Sequence, residues 1–165
     1  MKRCAYSLLV ASTLVFSSHA GEVPTLSPEA LEIIAGDDWT GSLTYLNYGE
    51  PARDFTIPAA LEVEIVERGL KLSYNYPEEP QQNSVVTARV SEDGTKLMGA
   101  PVTKISILET GAREVLTNYP CEDMGRSAAC EMAFTFSENE FRVRKMVTYD
   151  GETDGFRRNE YIFTR

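Results

Sequence analysis

From Trp39 onward, hydrophobic and polar residues alternate along most of the chain. The alternation is clearest at residues 61–65 and 70–76, where apolar side chains at every second position are separated by polar or charged ones. A period of two residues is typical of β-strands with one buried and one solvent-exposed face. The pattern predicts nine strands, at residues 39–48, 57–66, 70–76, 84–91, 96–108 (interrupted at Pro101), 113–119, 129–137, 141–149 and 156–164.

The segments between the predicted strands are short and contain residues that favour turns, such as Asp93-Gly94 and Asp150-Gly151. Short connections place neighbouring strands side by side in an antiparallel meander. Because no long helix is available to cover a sheet edge, such a meander is best satisfied when the sheet closes on itself. The prediction is an all-β, antiparallel up-and-down β-barrel of about eight to ten strands, with a two-sheet sandwich as the alternative.

One short helix is expected before the first strand. Ser27 is a good N-cap, Pro28 suits the first helical position, and Glu29 favours the positive end of the helix dipole. Leu31 and Ile34 lie three residues apart and share one face, which predicts one or two turns.

Residues 1–20 have the organisation of a secretory signal peptide. Lys2 and Arg3 precede a short apolar stretch, and a small-residue cleavage site ends at Ala20. Residues 21–165 are then expected to form a single domain in the periplasm or outside the cell. Cleavage removes the only histidine of the chain, His19, and one of its three cysteines, Cys4.

The chain is acidic, with 25 Asp and Glu against 16 Lys and Arg and a formal net charge of −9. Loss of the leader, whose two charged residues are both basic, makes the remaining chain more negative still. Such a charge disfavours nucleic acid and anionic membrane surfaces as partners, since both require a cationic face. It is compatible with a cationic protein partner. No second apolar stretch is long enough for stable membrane insertion.

Cys121 and Cys130 are the two cysteines that remain after cleavage. In an oxidising compartment such a pair is expected to form a disulfide, which would pin the segment 121–130. Two thiols at this spacing, with no histidine nearby, match no standard zinc pattern, and no metal site is predicted from them.

The absence of histidine from residues 21–165 excludes several kinds of chemistry. Nucleophilic sites of the Ser-His-Asp and Cys-His types need an imidazole, as do most catalytic zinc and iron sites. There is no phosphate-binding loop or dinucleotide fingerprint, so no cofactor is expected. Catalysis by paired carboxylates remains open. Residues 150–155 echo part of a calcium loop but are interpreted as an acidic hairpin turn. The chain is predicted not to be an enzyme.

A short helix that leads into Asp38-Trp39-Thr40-Gly41-Ser42, followed by a meander of eight to ten strands, resembles the calycins, a group that includes lipocalins and fatty-acid-binding proteins. In that group a Trp near the start of the first strand plugs one end of the barrel, and a basic residue of the last strand packs over it. The resemblance implies that Trp39 is the plug, that Arg157 or Arg158 covers it, and that the protein binds a small, largely apolar or amphiphilic ligand.

Several aromatic side chains fall on the predicted inner faces of their strands, where they either line a ligand pocket or fill the core. Arg158, which shares its face with Phe156 and Ile162, is a candidate partner for a ligand carboxylate. The candidate ligand-binding residues are Trp39, Leu43, Tyr45, Tyr74, Tyr149 and Arg158.

Two other functions fit the same sequence. The acidic charge, the segment 121–130 and the exposed acidic segment 77–83 are compatible with a protein-binding barrel, such as an inhibitor of a cationic cell-wall hydrolase. An envelope module without a ligand is the third interpretation.

Overall fold

The computed structural model describes residues 23–165. The predicted signal peptide, with Cys4 and His19, lies outside the described residues. Two short 3-10 helices accompany the sheet, η1 (Pro28–Ile34) and η2 (Pro80–Gln82). The strands in this range are β1 (Gly36–Asn47), β2 (Arg53–Val66), β3 (Gly69–Asn75), β4 (Ser84–Arg89), β5 (Lys96–Leu97), β6 (Ala100–Ile107), β7 (Arg113–Asp123), β8 (Arg126–Phe136), β9 (Glu140–Tyr149) and β10 (Phe156–Thr164).

All ten strands belong to one antiparallel sheet in the order β4-β3-β2-β1-β10-β9-β8-β7-β6-β5. Strands that are consecutive in the chain are neighbours in the sheet, except β4 and β5, which lie at its two edges. The first and last strands, β1 and β10, are also paired and bring the two halves of the chain together. The sheet curls into a nearly closed up-and-down barrel, as the alternating pattern predicts. Inward-facing side chains form one main hydrophobic core, whose largest fully buried members include Trp39, Leu61, Leu72 and Phe163.

The helical segment expected after Ser27 takes the 3-10 form in η1, with Pro28 at its start. Leu31 and Ile34 are both buried and pack against the core at one end of the barrel. At this end β1 and β10 approach closely, because a Cβ on Gly41 would lie 1.9 Å from the carbonyl oxygen of Ile162. Only glycine leaves room for that backbone contact.

The structure divides the predicted strand 96–108 into β5 and β6. The break falls at Met98 and Gly99, both of which have positive φ, at 55° and 83°. Such a pair of residues reverses the chain in a tight turn. The interruption therefore lies before Pro101, the residue at which the sequence pattern predicts it.

The chain between the predicted strands 113–119 and 129–137 forms a tight hairpin instead of a longer connection. β7 continues to Asp123, and a two-residue turn at Met124 and Gly125, with φ of 49° and 75°, leads directly into β8. The disulfide between Cys121 and Cys130 is present, with a Cα–Cα distance of 5.8 Å. It therefore cross-links two paired strands and does not pin a loop.

Candidate functional site

One end of the barrel is closed around Trp39. The indole is only 1% exposed, and its Nε1 donates a hydrogen bond to the carbonyl of Ile34 at 2.9 Å. The guanidinium of Arg165 lies over the ring, 4.3 Å from its centre, and donates to the carbonyls of Ile33 and Ala35. A cation held by main-chain carbonyls above an aromatic face stabilises both partners. The plug implied by the calycin resemblance is therefore present.

The residue that covers Trp39 is Arg165, which follows β10 directly, and not Arg157 or Arg158. The antiparallel register explains the difference. Thr164 is paired with Thr40, beside Trp39, so the first residues of β10 lie at the other end of the barrel. Arg157 pairs there with Asp54 and Glu160.

A buried carboxylate organises that other end. Tyr48 and Tyr149 donate their hydroxyl protons to Oδ2 of Asp123, the latter at 3.0 Å. Nε of Arg158 donates to Oδ1 at 3.1 Å, while its Nη1 donates to the carbonyl of Leu46 at 2.8 Å. The side chain of Asp123 is 9% exposed. These contacts tie the β7–β8 hairpin to the ends of β1, β9 and β10.

The charges in this cluster are internally compensated. Burial raises the pKa of Asp123, but the hydrogen bonds from the two tyrosines and the charge of Arg158 lower it by more, so the net shift is downward. Burial and the neighbouring carboxylate both raise the pKa of Tyr48. Asp123 therefore stays ionised and Tyr48 protonated at neutral pH. Tyr149 and Arg158, two of the predicted ligand-binding residues, are engaged in this network.

The barrel is incomplete between β4 and β6. The two edges meet only at the turn between β4 and β5, where a single bridge joins Val90 to Leu97 and the amide of Met98 donates to the carbonyl of Arg89. Among residues 23–165, β4 pairs otherwise with β3 alone, and β6 beyond its first residues with β7 alone. We call this opening the gap.

Two cavities adjoin one another inside the barrel beside the gap. The gap cavity, of about 460 Å³, is lined by the β5–β6 turn and by inward side chains of β7 and β8, including Leu97, Ala100 and Thr117. The lumen cavity, of about 230 Å³, is lined from β3, β4, β9 and β10 by residues that include Leu72, Tyr74, Val86, Val143, Lys145 and Tyr161. Met98, Tyr119, Met132 and Phe134 border both.

The walls of the lumen cavity are mainly apolar and aromatic. The rings of Tyr74 and Tyr161 pack 4.8 Å apart, and burial raises the pKa of both phenols. The hydroxyl of Tyr161 is hydrogen-bonded to that of Tyr76 at 2.7 Å. A few polar groups in an apolar concave wall are typical of sites that bind small organic molecules.

The structure separates the six residues proposed from the sequence. Tyr74 borders the lumen cavity, whereas Trp39 lies in the plug and Leu43 packs against the core. Tyr45 stacks on Phe55, with ring centres 6.1 Å apart. None of the last three is among the residues that border the two cavities.

Sequence reasoning did not select Lys145, Asn159, Met98 or Met132 as lining residues. For Lys145 the alternating pattern already gave the answer. Lys145 follows Phe141 and Val143 at every second position and so shares the inner face of β9 with them, whereas Arg142 and Arg144 lie on the outer face. For Met98 the sequence holds no such signal, since the position of its side chain depends on where β5 turns into β6.

The acidic turn at residues 150–155 does not gather its carboxylates. Glu152 is held in a surface ion pair with Arg126 at 2.6 Å. Across residues 23–165, no group of three or more Asp, Glu, Cys or His side chains is arranged to hold a metal ion. In the same range no helix is both long and apolar enough to span a membrane.

The fold and the plug together define the class of protein: a nearly closed, ten-stranded antiparallel β-barrel with an architecture consistent with that of the calycins. Comparison with protein families and with curated proteins finds no match to the chain.

Proposed function

We propose that this protein is a calycin-like carrier that binds a small, largely apolar or amphiphilic molecule inside its barrel. The observation that carries the proposal is the pair of adjoining cavities bordered by Met98, Tyr119, Met132 and Phe134. The volume of the gap cavity alone, about 460 Å³, falls within the range of small-molecule sites.

The distribution of packing supports this proposal. Inside the sheet near Trp39 the core is filled by large side chains, and Phe141 and Phe163 stack there with ring centres 6.4 Å apart. The cleft of about 450 Å³ at that end lies between η1 and the β6–β7 and β8–β9 turns. The half nearer the gap retains open volume although Met132 and Tyr161 are available to fill it. A core that served stability alone would close such a space, because cavities cost free energy.

The gap offers a route for the ligand. Met98 stands at its edge and is 44% exposed, and methionine is a flexible, adaptable side chain suited to a surface that must open and close. Because the edges of β4 and β6 share few hydrogen bonds, separating them costs less than opening any other pair of neighbouring strands.

We also propose that the protein is exported and works in the periplasm or outside the cell. The disulfide between Cys121 and Cys130 supports this location, because disulfides persist in oxidising compartments. N-terminal sequencing of the protein from the cell envelope tests cleavage after Ala20. Binding is favoured over catalysis because residues 21–165 contain no histidine.

Native mass spectrometry of protein purified from its own compartment tests the carrier function, and a co-purifying small molecule is the expected result. A second assay uses N-phenyl-1-naphthylamine, an uncharged probe that fluoresces in apolar surroundings. Met132→Trp fills the cavities and should abolish probe binding. Met146→Trp, on the outer face of the adjacent strand β9, is the matched control and should bind as the unmodified protein does. Unchanged binding by a folded Met132→Trp variant would refute the proposal.

A further inference from the structure

Lys145 is the one charged residue among those that border the lumen cavity. It lies on β9 with Met132 of β8 on one side and Asn159 of β10 on the other, in register with both. Since opposed residues of paired strands point to the same face, its side chain extends into the barrel. Its ammonium group therefore belongs to the same space as the apolar walls.

Within residues 23–165 this ammonium has no salt-bridge partner and no hydrogen bond to a protein group. Arg158 at the end of the barrel shows the contrast, because Asp123 and the carbonyl of Leu46 accept its hydrogen bonds and its guanidinium lies over the ring of Tyr48. Lys145 is half-buried, and its ammonium is in contact with water while no ligand is bound. A ligand that displaces this water must offer the ammonium an anion or hydrogen-bond acceptors in its place.

Further polar groups border the same cavity. The amide of Asn159 lies next to Lys145 across the β9–β10 pair. The hydroxyl of Tyr161, which also borders the cavity, is hydrogen-bonded to that of Tyr76, and either of the two can be the donor. The cavity therefore presents one positive charge beside an amide that can donate, a set suited to a single anionic group.

We infer that the ligand of this barrel is an anionic amphiphile, whose carboxylate or similar head group pairs with Lys145 and whose apolar tail extends past Met132 and Phe134 into the gap cavity. This inference rests on the proposed carrier function and adds the chemical class of the ligand. The residue proposed to pair with the anion is now Lys145 and not Arg158, because the guanidinium of Arg158 is already paired with Asp123.

The overall charge of the chain makes the binding of an anion depend on Lys145. With a formal net charge of −9 the protein as a whole repels anions. Recognition of an anion must therefore come from a local cation, and removal of that one charge should have a large effect.

The test is displacement of N-phenyl-1-naphthylamine by three ligands with the same twelve-carbon chain: laurate, 1-dodecanol and dodecylamine. The unmodified protein should bind laurate most tightly. Lys145→Met, which keeps the length of the side chain and removes the charge, should weaken laurate binding about tenfold or more and leave 1-dodecanol binding unchanged. Lys145→Arg should retain the preference for laurate.

Lys104→Met is the matched control, because Lys104 is an exposed lysine on β6, and its binding should equal that of the unmodified protein. Circular dichroism establishes that each variant is folded, and Lys145→Arg covers a failure of Lys145→Met to fold. Dodecyl sulfate and dodecyl phosphate then distinguish a carboxylate from other anionic heads.

Equal binding of laurate and 1-dodecanol, or tighter binding of dodecylamine, would overturn the inference and leave the carrier function standing. A laurate affinity that is the same in Lys145→Met would do the same. If neither the probe nor any of the three ligands binds, the carrier function fails, and the inference fails with it.

Discussion

Replacement of Asp123 by Asn should lower the stability of the protein measurably. The change preserves the size of the side chain but removes the negative charge that accepts hydrogen bonds from Tyr48, Tyr149 and Arg158. An amide also places an NH₂ donor where the carboxylate has an acceptor oxygen. At least one of the three donors then loses its partner in a nearly buried site.

The expected loss is about 2–3 kcal/mol of the free energy of unfolding. A hydrogen bond to a charged group contributes roughly 1.5–3 kcal/mol and a neutral one roughly 0.5–1.5 kcal/mol, so three weakened bonds sum to about 3 kcal/mol. Because the side chain of Arg158 is 28% exposed, water recovers part of its interaction and the loss stays below the ~3–5 kcal/mol typical of a fully buried broken pair.

Urea denaturation measures the effect. With a slope of about 1–3 kcal/mol/M, the midpoint should fall by roughly 1–2 M, while the slope itself stays unchanged. Asp154→Asn is the matched control, since Asp154 is exposed and lies outside the cluster, and its midpoint should not move. If both variants have the midpoint of the unmodified protein, Asp123 does not tie the hairpin to the barrel end.

The same variant should remove a part of the pH dependence of stability. The pKa of Asp123 is lowered in the folded state, so its contribution is fully present above the ordinary pKa of an unfolded Asp, about 3.9, and is lost as the pH falls from there toward the folded value. The stability difference between the unmodified protein and Asp123→Asn should therefore be constant near neutrality and shrink below about pH 4. A constant difference down to pH 2 would contradict the assigned charge.

Three further predictions concern the plug, the β1–β10 contact and the hairpin. Arg165→Ala should shift the fluorescence emission of Trp39, the only tryptophan, to longer wavelength, because the ring loses its cover. The same change should lower the free energy of unfolding by about 1–3 kcal/mol. Unchanged emission would contradict the contact between Arg165 and Trp39. Gly41→Ala should destabilise by about 1–3 kcal/mol or more in urea, whereas Gly49→Ala, whose added Cβ meets nothing closer than 3.5 Å, should cost under ~1 kcal/mol. Reduction of the disulfide should cost about 2–3 kcal/mol by thermal denaturation, and no change in the midpoint would show that strand pairing alone holds the hairpin.

The sequence pattern predicts the strands well because burial on one face imposes a period of two along each strand, which is shifted only locally at bulges such as that between Arg157 and Asn159. Predicted segments such as 84–91 and 156–164 differ by at most two residues from β4 and β10. The pattern fails where a turn lacks the usual residues. Met124 adopts a positive φ next to Gly125, and nothing in the composition of the segment 121–128 distinguishes that tight turn from a longer connection.

The candidate site is predictable only in part, and the reason lies in long-range pairing. Alternation along β9 places Lys145 on the inner face, so its orientation can be read from the chain. Whether the space in front of it is empty depends on which strands fail to pair, and no local pattern shows that β4 and β6 remain apart. The partner of Trp39 is likewise set by the β1–β10 register, and the calycin resemblance, which does not contain that register, implied Arg157 or Arg158 in place of Arg165.

The three openings that a barrel of this kind can offer a ligand differ in how firmly they are held. The end near Trp39 is covered by η1 and by Arg165, whose guanidinium bonds three main-chain carbonyls. The opposite end is tied across four strands through Asp123. The gap is held by one bridge and a few main-chain hydrogen bonds around Val90 and Leu97. Opening the barrel at the gap therefore requires the fewest interactions to break, and the gap is the route that we propose for the ligand.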